Sequence, residues 1–247
     1  MYRQIADELR EEIRSGRLSE GDILPSEAAL MRQHGTSQGT VRKAIAVLRS
    51  EGWVVSESGR GVFVRRRPRV FRKGNDRFAR KNRQGPKGRA AFDVEIADQG
   101  LAPKSEVEVS GPEVVPDAIA PLLGFEDGGQ VAVRRRRMLA DGEPVQLATS
   151  YIPWDIAKGS RIVEEDSGPG GIYARIEEAG HRLKEFSEDI SARPAFPEEA
   201  DALGLDTGVP VILLTRVAFD TKGRPVEVCD CVMAADRWRL NYTFPAT

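Results

Sequence analysis

The sequence predicts an α+β protein in two parts: a small N-terminal part of helices with one β-hairpin, and a larger C-terminal part with a mainly antiparallel sheet. Three observations predict this. Residues 24–49 contain two short helical patterns around a tight turn, and two short apolar runs separated by turn residues follow them. Beyond residue 130, strand-like runs occur in pairs that are joined by Gly-x-Pro turns.

The first element is an amphipathic helix over residues 2–15. Ile5, Leu9 and Ile13 recur at helical spacing and form its apolar stripe, and Gly16 suits the position after the helix C-terminus. We expect this helix to join the elements that follow it in one compact domain, which ends near residue 64.

Two further helices are joined by a tight turn at residues 35–37. Ser26 is the candidate N-cap of the first, which covers residues 26–34, and Ser37 is that of the second, which extends to residue 51. The apolar residues of the second helix recur at i, i+3, i+4 and i+7, and they are Val41, Ala44, Ile45 and Leu48. Its opposite face is polar and basic. This pattern is typical of a helix-turn-helix, whose second helix enters the major groove of DNA.

The apolar runs at residues 53–55 and 62–64 flank a turn-rich segment and predict a β-hairpin. A helix-turn-helix followed by a hairpin is a winged helix, so residues 1–64 are predicted to bind DNA. The alternative is a small helical subdomain with an ordinary hairpin. The charges favour DNA, because residues 1–89 hold 21 lysines and arginines against 10 acidic residues, whereas the remaining 158 residues hold 16 against 28.

The candidate DNA contacts lie at the start of the second helix and at the hairpin tip. Ser37 and Thr40 suit phosphate oxygens, helped by the backbone amides of the helix start. Gln38 can read adenine through two hydrogen bonds, and Arg42 supplies positive charge. The full predicted set is Ser37, Gln38, Thr40, Arg42, Lys43, Gly59 and Arg60.

Residues 65–89 are rich in basic residues, Gly and Pro and poor in apolar ones, which predicts a mobile basic linker. A solubilising tether and a direct DNA contact both fit this composition. Residues 90–247 form the predicted second domain. Its predicted helices cover residues 116–123, 172–179 and 197–203, and its predicted strands lie around Val107 and Val109 and over residues 131–139, 145–152, 183–192, 211–220 and 226–235.

The second domain contains an internal repeat. Leu123-Gly124, Val131 and Arg136 recur 80 residues later as Leu203-Gly204, Val211 and Arg216, and after one inserted residue Gln146 corresponds to Glu227. A chance similarity of two hairpins is the alternative to duplication. Duplication brings equivalent strands together in one sheet, so polar residues at matching positions could line one pocket.

The sequence also argues against several classes of protein. It has no run of 18 apolar residues and its N-terminus lacks the apolar core of a signal peptide, so we expect no membrane span. Cys229 and Cys231 share one face of a predicted strand and are poorly placed to pair, which favours a reduced, cytoplasmic protein. No metal-ligand spacing, phosphate loop or nucleophile–base pair is visible, so no metal, cofactor or catalytic residue is predicted.

The chain resembles the GntR family of bacterial transcription regulators, and within it the HutC branch. The matching stretches of the N-terminal part are IADELREEIRSG, LPSE, TVRKA, LRSEGW and GRGVFV. Those of the second part are RRRRMLADGEPVQLATSYIP, GGIYARIEEAGH and the run from GVPVILLTR through GRPVEVCDCVMAADR, which are similar to the ligand-sensing UTRA domain. The resemblance implies a UTRA fold like that of chorismate lyase, normally without catalysis. It also implies a homodimer, most often a repressor, that binds double-stranded operator DNA and responds to a small-molecule effector.

The resemblance implies DNA contacts residue by residue. The positions that match contacting residues of the family are Ser37, Thr40, Arg42 and Gly59. Ala28 and Gln38 stand where many relatives have arginine. Because glutamine favours adenine whereas arginine favours guanine, the operator core is expected to differ from that of those relatives.

The resemblance also implies effector contacts. Arg136 and Glu227 match an arginine and a glutamate that relatives use to sense sugar phosphates. Three other positions depart from that pattern, with Gly171, His181 and Met233 in place of serine, arginine and tyrosine, which argues against a sugar phosphate. The predicted effector-binding set is Arg136, Glu227, Tyr151, Tyr173 and His181. The tyrosines could equally be core residues, and His181 could simply end a helix.

Three functions remain open at this point. The leading hypothesis is a ligand-responsive transcription regulator that binds a near-palindromic operator as a homodimer, acting as the repressor that the resemblance implies. The second is an enzyme in residues 90–247, since the resembling fold hosts a lyase elsewhere. The third is a DNA-binding protein whose second domain only dimerises.

Overall fold

The computed structural model describes residues 1–57, 59–65, 70–73, 76–84, 88–126, 128–205, 209–243 and 246. Its contacts divide the chain into two compact units, of which the first is mainly Met1–Arg69 and the second is Val70–Leu205 with Pro210–Thr247. Each unit has a hydrophobic core of its own.

The first unit has three helices and one hairpin within its described residues. The helices are α1 (Tyr2–Arg14), α2 (Glu27–His34) and α3 (Gln38–Ser50), and β1 (Val54–Glu57) pairs with β2 (Gly61–Val64) in antiparallel orientation. Ser26 caps α2, because its side chain accepts a hydrogen bond from the amide of Ala29. Gly35 ends that helix with a φ of 57°, in the left-handed region that favours glycine. The predicted winged helix-turn-helix is therefore confirmed.

The apolar stripe predicted on α3 forms the centre of this unit. Its members are at most 4% exposed and pack in one cluster with Ile5 and Leu9 of α1; they are Val41, Ala44, Ile45 and Leu48. Burial of each large apolar side chain stabilises the fold by about 1.5–3 kcal/mol. Because the stripe fixes the rotation of α3, the polar and basic face of the helix points to solvent.

The second unit is built on an antiparallel sheet. A separate pair of short strands flanks this sheet in the sequence, one strand before it and one after it. That pair, β3 (Val70–Lys73) and β10 (Trp238–Asn241), is parallel. The sheet has six strands in the described residues: β4 (Pro103–Val114), β5 (Gln130–Ala140), β6 (Glu143–Pro153), β7 (Leu183–Pro194), β8 (Pro210–Asp220) and β9 (Pro225–Ala234). Their order is β4-β5-β6-β9-β8-β7. The hairpins β5–β6 and β8–β9 thus meet at the centre of the sheet, in agreement with the predicted repeat.

The described helices of the second unit are short. They are α4 (Arg80–Arg83), α5 (Ala91–Ala97), α6 (Trp154–Ala157), α7 (Gly171–Glu178) and α8 (Pro197–Leu203). Phe92 and Ile96 of α5 pack on the sheet together with Val70 and Trp238, on the face that we name the inner face. None of the helices in the described ranges is long and apolar enough to cross a membrane.

The described part of residues 65–89 differs from the predicted mobile linker. β3, a 3-10 turn at Asp76–Phe78 and α4 all belong to the second unit, where Arg72 and Arg83 are 1% and 7% exposed. The scarcity of apolar residues suggested a linker. These arginines are nevertheless buried because Arg72 contacts Glu188, and Arg83 donates a hydrogen bond to Glu177 at 3.0 Å.

Further differences from the prediction concern two helices and one strand. The helix predicted over residues 116–123 is wrong, since only a 3-10 turn at Pro121–Leu123 forms there. Pro121 lacks the amide hydrogen that an α-helix needs at an interior position. The helix α5 and the strand β10 were not predicted, because both are too short to show a clear period in the sequence.

Candidate functional site

The predicted DNA-contacting residues lie at the surface of the first unit. Six of the seven are exposed, and Thr40 is half-buried. The Ser37 hydroxyl lies 3.1 Å from that of Thr40 and caps none of the backbone amides of α3. Amides in the first turn of α3 are therefore left for an outside acceptor such as a phosphate oxygen.

Glu27 of α2 orients two of these residues. Its carboxylate accepts hydrogen bonds from Gln38 Nε2 at 2.7 Å and from Arg42 Nε at 3.1 Å. These bonds, with that from Gln38 as the larger effect, hold the pKa of Glu27 below its ordinary value. Because the amide nitrogen of Gln38 is engaged by Glu27, its carbonyl oxygen remains to accept a hydrogen bond from a base. Sequence analysis missed this role, although Glu27 is the acidic residue of the LPSE stretch.

The hairpin tip presents a single cation beside an aromatic ring. Gly59 has a φ of 70°, which favours glycine, and Arg60 beside it is exposed. Arg60 forms an ion pair with Glu57, and its guanidinium lies 5.6 Å from the centre of the Phe63 ring. The geometry of the tip suits a backbone or groove contact, which stays a prediction.

Replacing Gln38 by alanine is expected to relax base preference, with a loss of about 1–3 kcal/mol of discrimination. Arg42→Ala should instead weaken binding to all sequences alike, because a charge acts on the phosphates. Affinities for a set of operator variants at constant salt measure both effects. Glu27→Ala is the matched control, since it keeps the side chains of Gln38 and Arg42 and removes only the carboxylate that orients them. An unchanged specificity profile for Gln38→Ala removes Gln38 from the base-reading residues.

The second unit holds a cavity of about 720 Å³ over the inner face of its sheet. Its wall is formed by β4, β5, β6, β8, β9, α5, α7, the 3-10 turn at Asp76–Phe78 and parts of two loops. Three of the five predicted effector contacts lie on this wall: Arg136, Tyr173 and Glu227. Polar and charged wall residues outside the predicted set include Arg77, Arg134, Gln146, Arg216 and Cys229.

Strand alternation explains which arginines face the cavity. Arg134 and Arg136 lie on its wall, whereas Arg135 between them is exposed and contacts Ser110 and Glu113. The predicted alternation along this run of arginines is therefore confirmed. Cross-strand pairing continues the row in register across the sheet, in the order Arg134, Ser150, Cys229 and Arg216. The row thus carries a guanidinium group near each end.

Arg134 is buried and holds a loop in place. Its guanidinium donates to the backbone carbonyls of Ile162 at 2.6 Å, of Glu164, and of Glu165 at 2.8 Å. Within the described residues no carboxylate lies within ion-pair distance of it. Burial, and then the neighbouring charge of Arg136, lower the pKa of Arg134 to about 10. The charge of Asp166, which also lies on the cavity wall, opposes this shift. The site therefore keeps a buried positive charge that has no ion-pair partner within the described residues.

Arg136 is the second cation without an acidic partner in the described part of the chain. It donates hydrogen bonds to the Ser150 hydroxyl and, at 3.5 Å, to the Sγ atom of Cys229. Its Nε atom has no hydrogen-bond partner among the residues that the structure describes. Arg134 is buried and Arg136 is half-buried. Cations in such surroundings normally have partners, so these two groups in one wall form a site for an anion.

Glu227 differs from the expected ligand contact. Its carboxylate is completely buried and accepts hydrogen bonds from the Ser150 hydroxyl at 2.6 Å and from the Tyr173 hydroxyl at 2.7 Å. Arg216 lies 3.6 Å away as an ion-pair partner. Burial raises the pKa of Tyr173, so its hydroxyl stays protonated and donates. The carboxylate is thus largely satisfied by the protein itself.

One wall of the cavity is aromatic. Phe78 stacks on Phe186 with ring centres 4.4 Å apart, and Tyr173 packs edge-on against both rings. The guanidinium of Arg216 lies 4.9 Å from the centre of the Phe78 ring. These contacts fix Arg216 over a flat apolar surface.

Two predicted effector contacts do not line this cavity. Tyr151 follows the inward-facing Ser150, so strand alternation places it on the opposite face, where it packs with Val131 and Val228. His181 follows α7 and lies with its Nδ1 atom 2.9 Å from Asp220 Oδ2. Neither residue therefore lines this cavity, and a role of either in effector binding stays a prediction.

Sequence analysis missed wall residues that lie in unexpected elements. Arg77 and Phe78 belong to the predicted linker, which gave no signal for a site. Arg216 and Gln146 were visible only as the repeat equivalents of Arg136 and Glu227. Within the described ranges no group of three or more His, Cys, Asp and Glu side chains could hold a metal ion.

The fold and these two surfaces define a class of protein. A winged helix-turn-helix with an exposed polar helix, joined in one chain to a sheet domain with an arginine-lined cavity, is the architecture of a DNA-binding regulator with a small-molecule sensor. Residues 1–64 match the family model for bacterial regulatory proteins of the gntR family, and residues 98–239 match that for the UTRA domain. The chain belongs to the GntR family of transcription regulators, in its HutC branch.

Relatives agree over almost the whole chain. An HTH-type transcriptional regulator from Rhizobium meliloti is 33% identical over 98% of this chain and 93% of its own length. The HTH-type transcriptional repressor NagR from Bacillus subtilis is 28% identical over 99% of this chain and 93% of its own. A crystal structure assigned to a GntR-family regulator is 30% identical, with a TM-score of 0.68 over 100% of this chain and 98% of that one. These proteins are transcription regulators, so the enzyme hypothesis has no support.

Proposed function

We propose that this protein is a homodimeric repressor that binds a near-palindromic operator and changes its grip when an acidic small molecule enters the cavity. The observation that carries the proposal is the cavity wall, where Arg134 and Arg136 have no acidic partner within the described residues. The resemblance to NagR, which is named a repressor, supports the direction of the regulation.

The chemistry of the wall suggests which groups the effector has. A carboxylate or phosphate can accept from the guanidinium of Arg136, whose Nε hydrogen is not engaged within the described residues. Gln146 is 5% exposed, and its Oε1 atom has no hydrogen-bond partner there, so it suits a hydroxyl or amine of the effector. Gln146, the repeat equivalent of Glu227, thus replaces it as the expected acceptor.

The effector must act through differential affinity. A ligand changes DNA binding only if it binds one conformation of the dimer better than another. A coupling free energy of about 1–3 kcal/mol is sufficient for a useful switch. A thermal-shift screen of small carboxylates and phosphate esters on the full chain, followed by operator binding with each hit, tests the proposal. Hits that stabilise the protein without changing its affinity for the operator would refute the sensing function.

The operator is expected to be a near-palindrome that is bound by two copies of the chain. In a symmetric dimer each α3 enters a major groove, with half-sites about one helical turn or a multiple of it apart. Footprinting together with measurement of the mass of the complex checks this. Protection of one asymmetric half-site by a single copy would contradict it.

A further inference from the structure

Two thiols lie side by side in the inner face of the sheet. Cys229 and Cys231 of β9 are both buried, and neither forms a disulfide. Their Sγ atoms are 3.6 Å apart. Cys229 lies on the wall of the cavity. The proposed function uses neither of them, and packing alone does not require that two sulfur atoms share one polar surrounding.

The groups around Cys229 favour its thiolate. Arg136 of β5 donates to its sulfur, and Arg216 of β8 lies in register beside it, while Glu227 is the acidic group nearby. The hydrogen bond from the Cys231 thiol is the largest cause that lowers the pKa of Cys229, to about 6. Burial and the charge of Glu227 raise the pKa of Cys229, whereas the charges of Arg216 and Arg136 lower it. The same pairing raises the pKa of Cys231. Cys229, which contacts Arg136 and pairs in register with Arg216, is therefore the thiol of the pair whose thiolate its surroundings favour.

The wall beside the thiols has polar atoms without partners. The Nε atoms of Arg134 and Arg216 are buried and have no hydrogen-bond acceptor in the described part of the chain. Gln146 donates its Nε2 hydrogen to the sulfur of Cys231 at 3.3 Å, while its Oε1 atom has no partner there. Arg134, Arg216 and Gln146 share the cavity wall with Cys229, so their orphaned donors and acceptor point to a polar guest in that cavity.

We propose that Cys229 is a modification site for small electrophiles that carry a carboxylate. The arginines draw the carboxylate into the cavity, and the sulfur then attacks the electrophilic carbon. With a haloacetate, the C–S bond forms as the carbon–halogen bond breaks, and halide leaves with the electron pair, so no oxidant or reductant is needed. This site goes beyond reversible effector binding, and it can be tested without DNA.

The test compares iodoacetate with the neutral iodoacetamide on the reduced, full-length protein, with glutathione as the reference thiol in the same buffer. Among the residues that the structure describes, the cavity wall carries six basic side chains and four acidic ones. An excess of one sign of charge in a cleft raises the local concentration of an oppositely charged reagent, by about 10–10³-fold where the lining is of one sign. Relative to glutathione, Cys229 should therefore favour iodoacetate over iodoacetamide by at least about tenfold. Intact mass should show one adduct, and peptide mapping should place it on Cys229. A polymer-linked maleimide, which is too large for the cavity, should not react with the folded protein.

Variants test the parts of the proposal. Cys229→Ala should lose the adduct and Cys231→Ala should keep it, while Arg136→Met should bring the preference for iodoacetate towards the glutathione value. Three results overturn the proposal: no adduct on the folded chain although the urea-unfolded chain reacts, an adduct on Cys231 first, or the reagent preference of glutathione. All three are read on the natural sequence, so they decide the matter even if a variant fails to fold.

Discussion

Glu227→Ala is expected to lower the free energy of unfolding by about 3–5 kcal/mol, because it removes the nearer of the two carboxylates that pair with the buried Arg216 and leaves only Glu188 at 3.9 Å. The carboxylate accepts from Ser150 and Tyr173 and faces Arg216, and all three of these side chains are buried. Urea denaturation followed by circular dichroism and tryptophan fluorescence measures the change.

Two variants serve as controls for this result. Glu227→Gln keeps the volume and one acceptor oxygen, so its loss should be smaller. Glu108→Ala removes an exposed carboxylate from the edge strand β4 and should change stability by no more than about 0.5 kcal/mol. A loss below about 1 kcal/mol for Glu227→Ala would mean that Arg216 finds another partner or water, and that the network is not a structural element.

Arg136→Ala is expected to abolish the response to the effector while operator affinity without effector is kept. The variant should lose the whole coupling free energy between effector binding and operator binding. A coupling of about 1–3 kcal/mol corresponds to a change of about 5–150-fold in operator affinity. Operator titrations with and without the effector measure this ratio. Arg136 is better suited to this test than Glu227, whose replacement also destabilises the unit that is being tested.

The chain supplies a matched control for Arg136. Arg135 is also an arginine and directly precedes Arg136 on the same strand, but it is exposed on the opposite face. Arg135→Ala should therefore leave the effector response intact. An undiminished response in Arg136→Ala, or an equal loss in both variants, would place the effector elsewhere.

Elements that depend on neighbouring residues could be predicted from the sequence. The stripe of α3, the cap at Ser26 and the hairpins β5–β6 and β8–β9 all follow from spacing within a few residues. Strand alternation also separates Arg134 and Arg136 from Arg135 on the basis of their positions in the chain. The same rule, applied to β6, excludes Tyr151 from the cavity once its neighbour Ser150 is known to face inward.

Elements that depend on distant partners could not be predicted. Arg72 is buried because of Glu188, and Arg83 because of Glu177, and both acidic residues lie about a hundred positions further along the chain. A basic stretch with few apolar residues has the same local composition whether it is solvated or buried against such partners. The wall residue Arg77 was missed for this reason. The burial of Glu227 has no local signal either, because its hydrogen-bond donors are not its neighbours in sequence.

The parallel pair β3–β10 has a consequence for the order of events on the ribosome. Val70 pairs with Trp238, which is synthesised 168 residues later. At about 5–20 residues per second, this means a delay of roughly 10–30 s between the two strands. The three helices and the hairpin of the first unit need only residues that emerge early, so a nascent chain carries a folded winged helix well before residues 70–73 are fixed. A message that is truncated shortly before codon 238 would therefore yield a folded DNA-binding unit together with a second unit that lacks the pair β3–β10. The last strand to be translated, β10, is the one that pairs with the first strand of that unit, β3.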